Sequence, residues 1–262
     1  MELLGKVALI TGGNRGIGRG CALALARMGA DIVIADCQPE SGVSSVVGEV
    51  EALGRRAIFV RGDVSRRANV EAMVKETVRD FGHLDIVIAN AARTVRGPFL
   101  ELSEDDFRKT LDVTLLGVFH TAQLAARQMV KQGGGGSIVI ISSVLAKLPM
   151  ANSAPYNSAK AGINQLSRTM ATELAQHRIR VNTIEPGYTD TPGERAFATE
   201  EELATIGAGL PLGRLGSIED IGYGAAFLSS PRAAYITGSV LRIDGGYMLP
   251  SPTFANPHAG SS

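Results

Sequence analysis

Residues 7–36 read VALITGGNRGIGRGCALALARMGADIVIAD: an apolar run, a glycine-rich turn, a stretch of small and apolar residues, then a second apolar run. Val7–Thr11 and Asp31–Asp36 are short and rich in Val, Ile and Ala, as strands buried on both faces are. Between them, Gly12, Gly16 and Gly18 stand where the first strand turns into a helix over 16–29. Glycines there let the backbone approach a pyrophosphate. The helix N-terminus adds unpaired N–H donors and the positive end of the helix dipole.

The same alternation continues along the chain. Further strand candidates are AIFVR, LDIVIAN, SIVIIS, IRVNTIEP and SVLRID, separated by helical stretches over 40–54, 66–81, 103–132, 153–176 and 217–229. Ser103 and Ser217 stand as N-caps with Asp106 and Asp220 three residues on, and Gly29, Gly54 and Gly82 end helices. Seven strands alternating with helices predict an α/β protein, a seven-stranded doubly wound parallel sheet with helices on both faces and right-handed crossovers. The four glycines 133–136 read as a turn rather than a domain boundary.

At 262 residues and 45% hydrophobic, the chain has the material for one large core. Its 26 basic and 26 acidic residues cancel, which gives no electrostatic reason to expect nucleic acid or an anionic membrane surface. No apolar run approaches the ~20 residues of a membrane span. The opening MELLGKVALITGG has no apolar signal region, so the cytoplasm is the default location. Cys21 and Cys37 suggest neither a disulfide framework nor metal-ligand spacing, and the four histidines are scattered singly, so no metal site is expected.

The chemistry-bearing stretch is 143–160, SVLAKLPMANSAPYNSAK. Tyr156 and Lys160 are four apart in a helical segment and share one face. An adjacent ammonium favours the phenolate and is expected to lower the Tyr156 pKa from its usual value of about 10. Ser143, at the end of a strand, is placed to hydrogen-bond the same substrate oxygen. With the turn TGGNRGIG at 11–18, Pro186-Gly187 and IDGG at 243–246, this order resembles the short-chain dehydrogenase/reductase family over nearly the whole chain. The first turn matches that family's T-G-x-x-x-G-x-G rather than the generic G-x-G-x-x-G.

The resemblance implies a single Rossmann domain over 1–246 that binds a dinucleotide and carries a substrate lid at 188–215, followed by a tail at 247–262. It implies catalysis by Ser143, Tyr156 and Lys160. The cofactor would be gripped by Gly12, Asn14, Arg15, Gly16, Ile17 and Gly18, with Asp63 and Val64 at the adenine and Asn90 and Ala91 near a ribose. Tyr156, Lys160, Pro186, Gly187 and Thr189 would meet the nicotinamide end, and Thr191 a phosphate. Two positions depart from the family pattern. Ala92 replaces a glycine, and Thr114 stands where an asparagine usually completes the catalytic set through a backbone carbonyl and a water. Thr offers one hydroxyl and a shorter reach.

Asp36 closes the second strand, where a carboxylate accepts hydrogen bonds from the adenosine ribose. A 2′-phosphate ~4 Å away would be opposed by about 4 kcal/mol per charge pair at an effective dielectric of 20. Arg15 favours that phosphate, but NAD is expected over NADP. The implied reaction is hydride transfer between a nicotinamide and a secondary alcohol or ketone. Arg93, Arg96 and Lys147 suggest an anion, and Asn152, Glu185 and Tyr188 add polarity near the expected mouth. A polyol, sugar or hydroxy acid is therefore the expected small-molecule substrate. Two other readings stand: an NADPH-dependent 3-oxoacyl-thioester reductase, and a nicotinamide-binding sensor or scaffold with weak catalysis. The resemblance further implies a homotetramer through 103–132, 153–176 and 239–244, with Ala122, Ala125, Ala126, Ala161 and Gly162 allowing close helix approach.

Overall fold

The computed structural model of the chain describes residues 1–38 and 44–249. Seven parallel strands form one sheet in the order β3-β2-β1-β4-β5-β6-β7. They are β1 (Val7–Thr11), β2 (Asp31–Asp36), β3 (Ala57–Arg61), β4 (Ile86–Ala89), β5 (Gly136–Ile141), β6 (Ile179–Pro186) and β7 (Val240–Ile243). Every residue of β1 and β4 is buried, as continuous apolar strands covered on both faces must be. The helices are α1 (Gly16–Arg27), α2 (Ser44–Ala52), α3 (Arg67–Phe81), α4 (Glu104–Leu111), α5 (Gly117–Gln132), α6 (Ala154–Leu174), α7 (Glu200–Gly209) and α8 (Ile218–Ser229). Two apolar clusters lie on opposite faces of the sheet. One joins α1 and α8 to alternate strand residues such as Ile10, Ile34 and Ile88; the other joins α3 and α5 to Leu9, Val33 and Val87.

The doubly wound sheet is the expected one, and the pairing of β1 with both β2 and β4 places a crevice where the strand order reverses. Capping follows the sequence as well. Ser103 accepts from the Asp106 N–H, and Ser217 and Asp220 form a reciprocal capping box. Of the expected helix over 40–54, positions 40–43 lie outside the described residues, as does the tail from 250 onward.

Three local readings are corrected. The stretch 103–132 is not one helix: α4 and α5 are joined by a π turn, Asp112–Leu116, in which the Gly117 N–H donates to the carbonyl of Asp112. The extra residue in that turn swings Thr114 inward. The segment 188–215, to which the sequence reading assigns no helix, contains α7, started by a Thr199–Glu202 capping box. Ala122, Ala125 and Ala126 pack inside the subunit's own core and are at most 5% exposed, so they offer no surface to another copy.

Candidate active site

The C-terminal ends of β1, β2, β4, β5 and β6 open into two adjoining cavities of about 520 and 270 Å³ that share Ile17, Asn90, Ala92, Arg93, Thr191 and Gly193. The larger begins at the first glycine turn. Gly12 has φ of +63°, a conformation costly for any side chain, and Gly18 packs directly beneath it. Asn90 braces this turn, its amide donating to the carbonyls of Thr11 and Gly12, each at 3.0 Å. Its backbone N–H donates in turn to Thr11 Oγ1. The amide of Asn90 is therefore committed to holding the turn, beyond the ribose-side position expected of it.

Arg15 and Asp36 both line the larger cavity, with Asp63 and Val64 on its floor and Ala91 beside Asn90. One Asp36 oxygen accepts from the Gln38 N–H at 3.0 Å. The Asp63 carboxylate folds back to accept from Ser65 N–H, and the Val64 carbonyl meets His120 Nδ1. Thr191 faces Gly16 across the turn. No side chain caps α1, and its first turn carries no acidic residue, so its N–H groups point at the turn without competition. Asn14 Oδ1 is buried there without a hydrogen-bond partner among the described residues. A long crevice, an uncapped helix N-terminus, a glycine cradle that a Cβ would fill and an acidic strand end together fit a dinucleotide.

The smaller cavity is lined by Ser143, Tyr156, Lys160, Pro186, Gly187 and Thr189. Ser143 follows β5 and starts a short 3₁₀ turn, Val144–Ala146, its hydroxyl accepting from the Leu145 N–H at 3.1 Å. Tyr156 lies in the first turn of α6, with Lys160 one turn on. The Lys160 side chain is fully buried. Its Nζ donates to the Ile141 carbonyl at 2.7 Å and lies 5.3 Å from the Tyr156 ring centroid. Burial pushes the Lys160 pKa down to about 7.

Tyr156 departs from the expectation that the neighbouring lysine lowers its pKa. Although its ring faces the cavity, protein surrounds the hydroxyl closely enough that desolvation raises the pKa to about 12. The nearby Ser143 hydroxyl opposes that rise. Glu194 adds to it, and Arg96 counters it. Spacing put Tyr156 and Lys160 together; burial, which spacing does not reveal, decides how they titrate.

Thr114 does not reach the cavity. Its buried hydroxyl donates to the Arg93 carbonyl at 2.8 Å and accepts the Arg93 N–H at 3.0 Å, pinning the loop after β4 from behind. It holds a backbone carbonyl, as expected of this position, and acts as a positioning residue for the loop that carries Arg93 and Arg96. Lys147 and Glu185 are not at the mouth either. Glu185 is buried on β6 and accepts from Lys147 Nζ at 3.0 Å and from Asn164 at 2.7 Å. That pair ties the 3₁₀ turn to the sheet. Asn152 is likewise off the cavity, its carbonyl accepting from the Gly97 N–H.

The remaining wall holds residues that the sequence did not single out. Thr94, Ser153, Glu194, Phe197 and Tyr247 join Arg96 and Tyr188 around the smaller cavity. Tyr188 and Tyr247 meet edge to face at 5.2 Å between centroids. Ser153 is 1% exposed; it occupies the N-cap of α6 yet makes no cap hydrogen bond, and its hydroxyl has no partner among the described residues. Leaving such a group unpaired costs about 1–3 kcal/mol. Its place three residues before Tyr156 was the one available signal.

Comparison with known proteins bears on this geometry. Residues 12–248 match a family model described as enoyl-(acyl carrier protein) reductase. The chain is 40% identical over 248 residues to L-rhamnose 1-dehydrogenase (NAD(P)(+)) of Sphingomonas sp. strain SKA58, covering 94% of this chain and 98% of that one. It is 37% identical to cis-4-hydroxycyclohexanecarboxylate dehydrogenase of Sinomonas cyclohexanicum, over 92% of this chain and 96% of the other. Carveol dehydrogenase of Mycobacterium avium, solved in complex with NAD, superposes with a TM-score of 0.89 at 30% identity, over 95% of this chain and 99% of that one. Matches of this extent leave no large part of the chain unaccounted for. The chain belongs to the short-chain dehydrogenase/reductase family and is an NAD(P)-dependent oxidoreductase that interconverts an alcohol and a carbonyl.

Proposed function

We propose that this enzyme oxidises a secondary hydroxyl of a small polar molecule, a polyol, sugar or hydroxy acid, with NAD in preference to NADP. The observation that carries the reading is the lining of the smaller cavity, where Ser143, Tyr156 and Lys160 share a wall with Arg96, Thr94, Ser153 and Tyr188. A space of about 270 Å³ suits a compact, hydrogen-bonding substrate better than a long acyl chain, which weighs against the thioester reading. Two of the relatives named above act, by name, on a sugar and on a hydroxy acid.

A bound nicotinamide supplies hydride transfer; the rest is the work of this chain. Ser143 holds the substrate oxygen by its hydroxyl. Tyr156 takes the alcohol proton as carbon loses hydride, and returns it to the oxygen in the reverse direction. Lys160, whose pKa burial brings down to about 7, would hold a ribose hydroxyl of the cofactor and pass protons at Nζ. Segment 188–215 is the lid, fastened at its base where the Asp190 N–H donates to the Gly216 carbonyl and the Gly216 N–H to the Tyr188 carbonyl. Formation of reduced nicotinamide from NAD with polyols, sugars and hydroxy acids tests this reading. Turnover of apolar ketones alone would count against it.

Asp36 supports the NAD preference, because its carboxylate lines the crevice while Arg15, which also lines it, is exposed and makes no side-chain hydrogen bond or ion pair among the described residues. Asp36→Ala removes a charge that a 2′-phosphate would face. Measured by titration, the affinity for NADP relative to NAD is expected to rise by at least about tenfold. An unchanged ratio would mean that Asp36 does not meet the adenosine ribose. The reading includes a cytoplasmic location, testable by cell fractionation. It also includes a homotetramer built on 103–132, 153–176 and 239–244, where Leu116 on the π turn, Val130 on α5 and Ala161 on α6 are exposed. A monomeric mass in solution would contradict that assembly.

A further inference from the structure

Among the described residues, Arg96 is the guanidinium of the smaller cavity that is held in place from two sides. It projects from the loop after β4, and its guanidinium carbon stacks 3.9 Å from the centroid of Phe197, a lid residue. Its Nη2 lies 3.9 Å from the carboxylate of Glu194, also on the lid. That distance is an ionic approach, longer than the 2.7–3.2 Å of an N–H···O hydrogen bond. The buried Nε has no partner among the described residues. The fork is therefore oriented and charged, and its hydrogen-bonding edge is not used up.

Two more groups on the same wall are in the same condition. The hydroxyls of Ser153 and Thr94 are buried, line the cavity and find no hydrogen-bond partner among the described residues. A guanidinium edge with unused donors, beside two unsatisfied hydroxyls, is complementary to a carboxylate that carries hydroxyl groups nearby. Arg recognises carboxylates in this planar, two-pronged way.

We propose that Arg96 receives a substrate carboxylate, and that Glu194 stands in for it as an internal carboxylate that the substrate displaces. This deepens the functional reading above and rests on it: of the polar classes named there, it selects hydroxy acids. The charges lie close enough to the reacting centre to be felt there, since Glu194 raises and Arg96 lowers the Tyr156 pKa. Exchanging Glu194 for a substrate carboxylate keeps one negative charge beside Arg96, so the lid gives up its own contact as the substrate makes a better one.

The test uses matched pairs in which a carboxylate is replaced by CH₂OH: D-gluconate with D-glucitol, and cis-4-hydroxycyclohexanecarboxylate with 4-(hydroxymethyl)cyclohexanol. Binding to the enzyme–NAD complex is measured by calorimetry and turnover by reduced nicotinamide. The wild type is expected to prefer the acid of a pair at least tenfold. Arg96→Gln should abolish that preference, Arg96→Lys should retain part of it, and Glu194→Gln should increase it several-fold. Unimpaired NAD binding by each variant serves as the check on folding. Turnover of both members of a pair with equal affinity, or an Arg96→Gln variant that keeps the preference, overturns the carboxylate assignment and leaves the polar-substrate reading standing. NAD binding without turnover of any member overturns both.

Discussion

Tyr156→Phe is expected to lower kcat by at least ~10²-fold in both directions, with NAD affinity and melting temperature close to those of the wild type. The substitution removes one oxygen and keeps the ring that packs beside Lys160 in the first turn of α6. What is lost is the phenol that lines the cavity together with Ser143. The raised pKa also gives the wild type a direction. With the phenol pushed up to about 12, it is protonated at neutral pH, and carbonyl reduction finds its proton donor ready. Alcohol oxidation needs the phenolate, whose fraction grows as pH rises toward that value. Oxidation by the wild type should therefore accelerate from neutral to alkaline pH, while the phenol that serves reduction stays protonated until the pH nears that value. A Phe variant that keeps most of its rate would remove Tyr156 from the chemistry.

Gly18→Ala should weaken dinucleotide binding by about tenfold to a hundredfold, corresponding to roughly 1–3 kcal/mol of overpacking. A Cβ at Gly18 would lie 2.1 Å from the Gly12 carbonyl oxygen and 2.7 Å from Asn90 Nδ2. Neither neighbour gives way easily. The first is backbone at the crest of the turn, and the second is held by hydrogen bonds to Thr11 and Gly12. Relief comes only by moving the turn away from α1, which separates the backbone from the helix N-terminus that it shares with the ligand. Calorimetric titration with NAD checks this. Wild-type affinity would mean that the Gly12–Gly18 contact is dispensable to the cradle.

The parts that were legible in the sequence are those set by local chemistry. Strands such as VALIT and the IVIA centre of DIVIAD declare themselves by unbroken β-branched and apolar residues, and Ser103 and Ser217 announce helix starts through side chains three residues away. The glycine turn and the pairing of Tyr156 with Lys160 are equally local. What could not be read depends on contacts distant in sequence. The π turn at Asp112–Leu116 lies in LDVTLLGVF, whose apolar content continues smoothly through it; only the Arg93 backbone explains why Thr114 turns inward. Lys147, at the end of the 3₁₀ turn, looks free in sequence because its partner, Glu185, lies on β6, distant in sequence. Arg96 is one of several loop cations in the sequence; only the folded chain brings Phe197 and Glu194, far along the chain, against it. Desolvation of Tyr156 likewise belongs to the assembled cavity and not to its four-residue spacing from Lys160.

The most direct measurement is the appearance of reduced nicotinamide when the wild type and Tyr156→Phe are each given NAD and a series of polyols, sugars and hydroxy acids. The account predicts turnover by the wild type on members of that series, strongest among the acids, and its loss by at least ~10²-fold in the variant. Equal rates in the two proteins, or turnover confined to apolar alcohols, would contradict it.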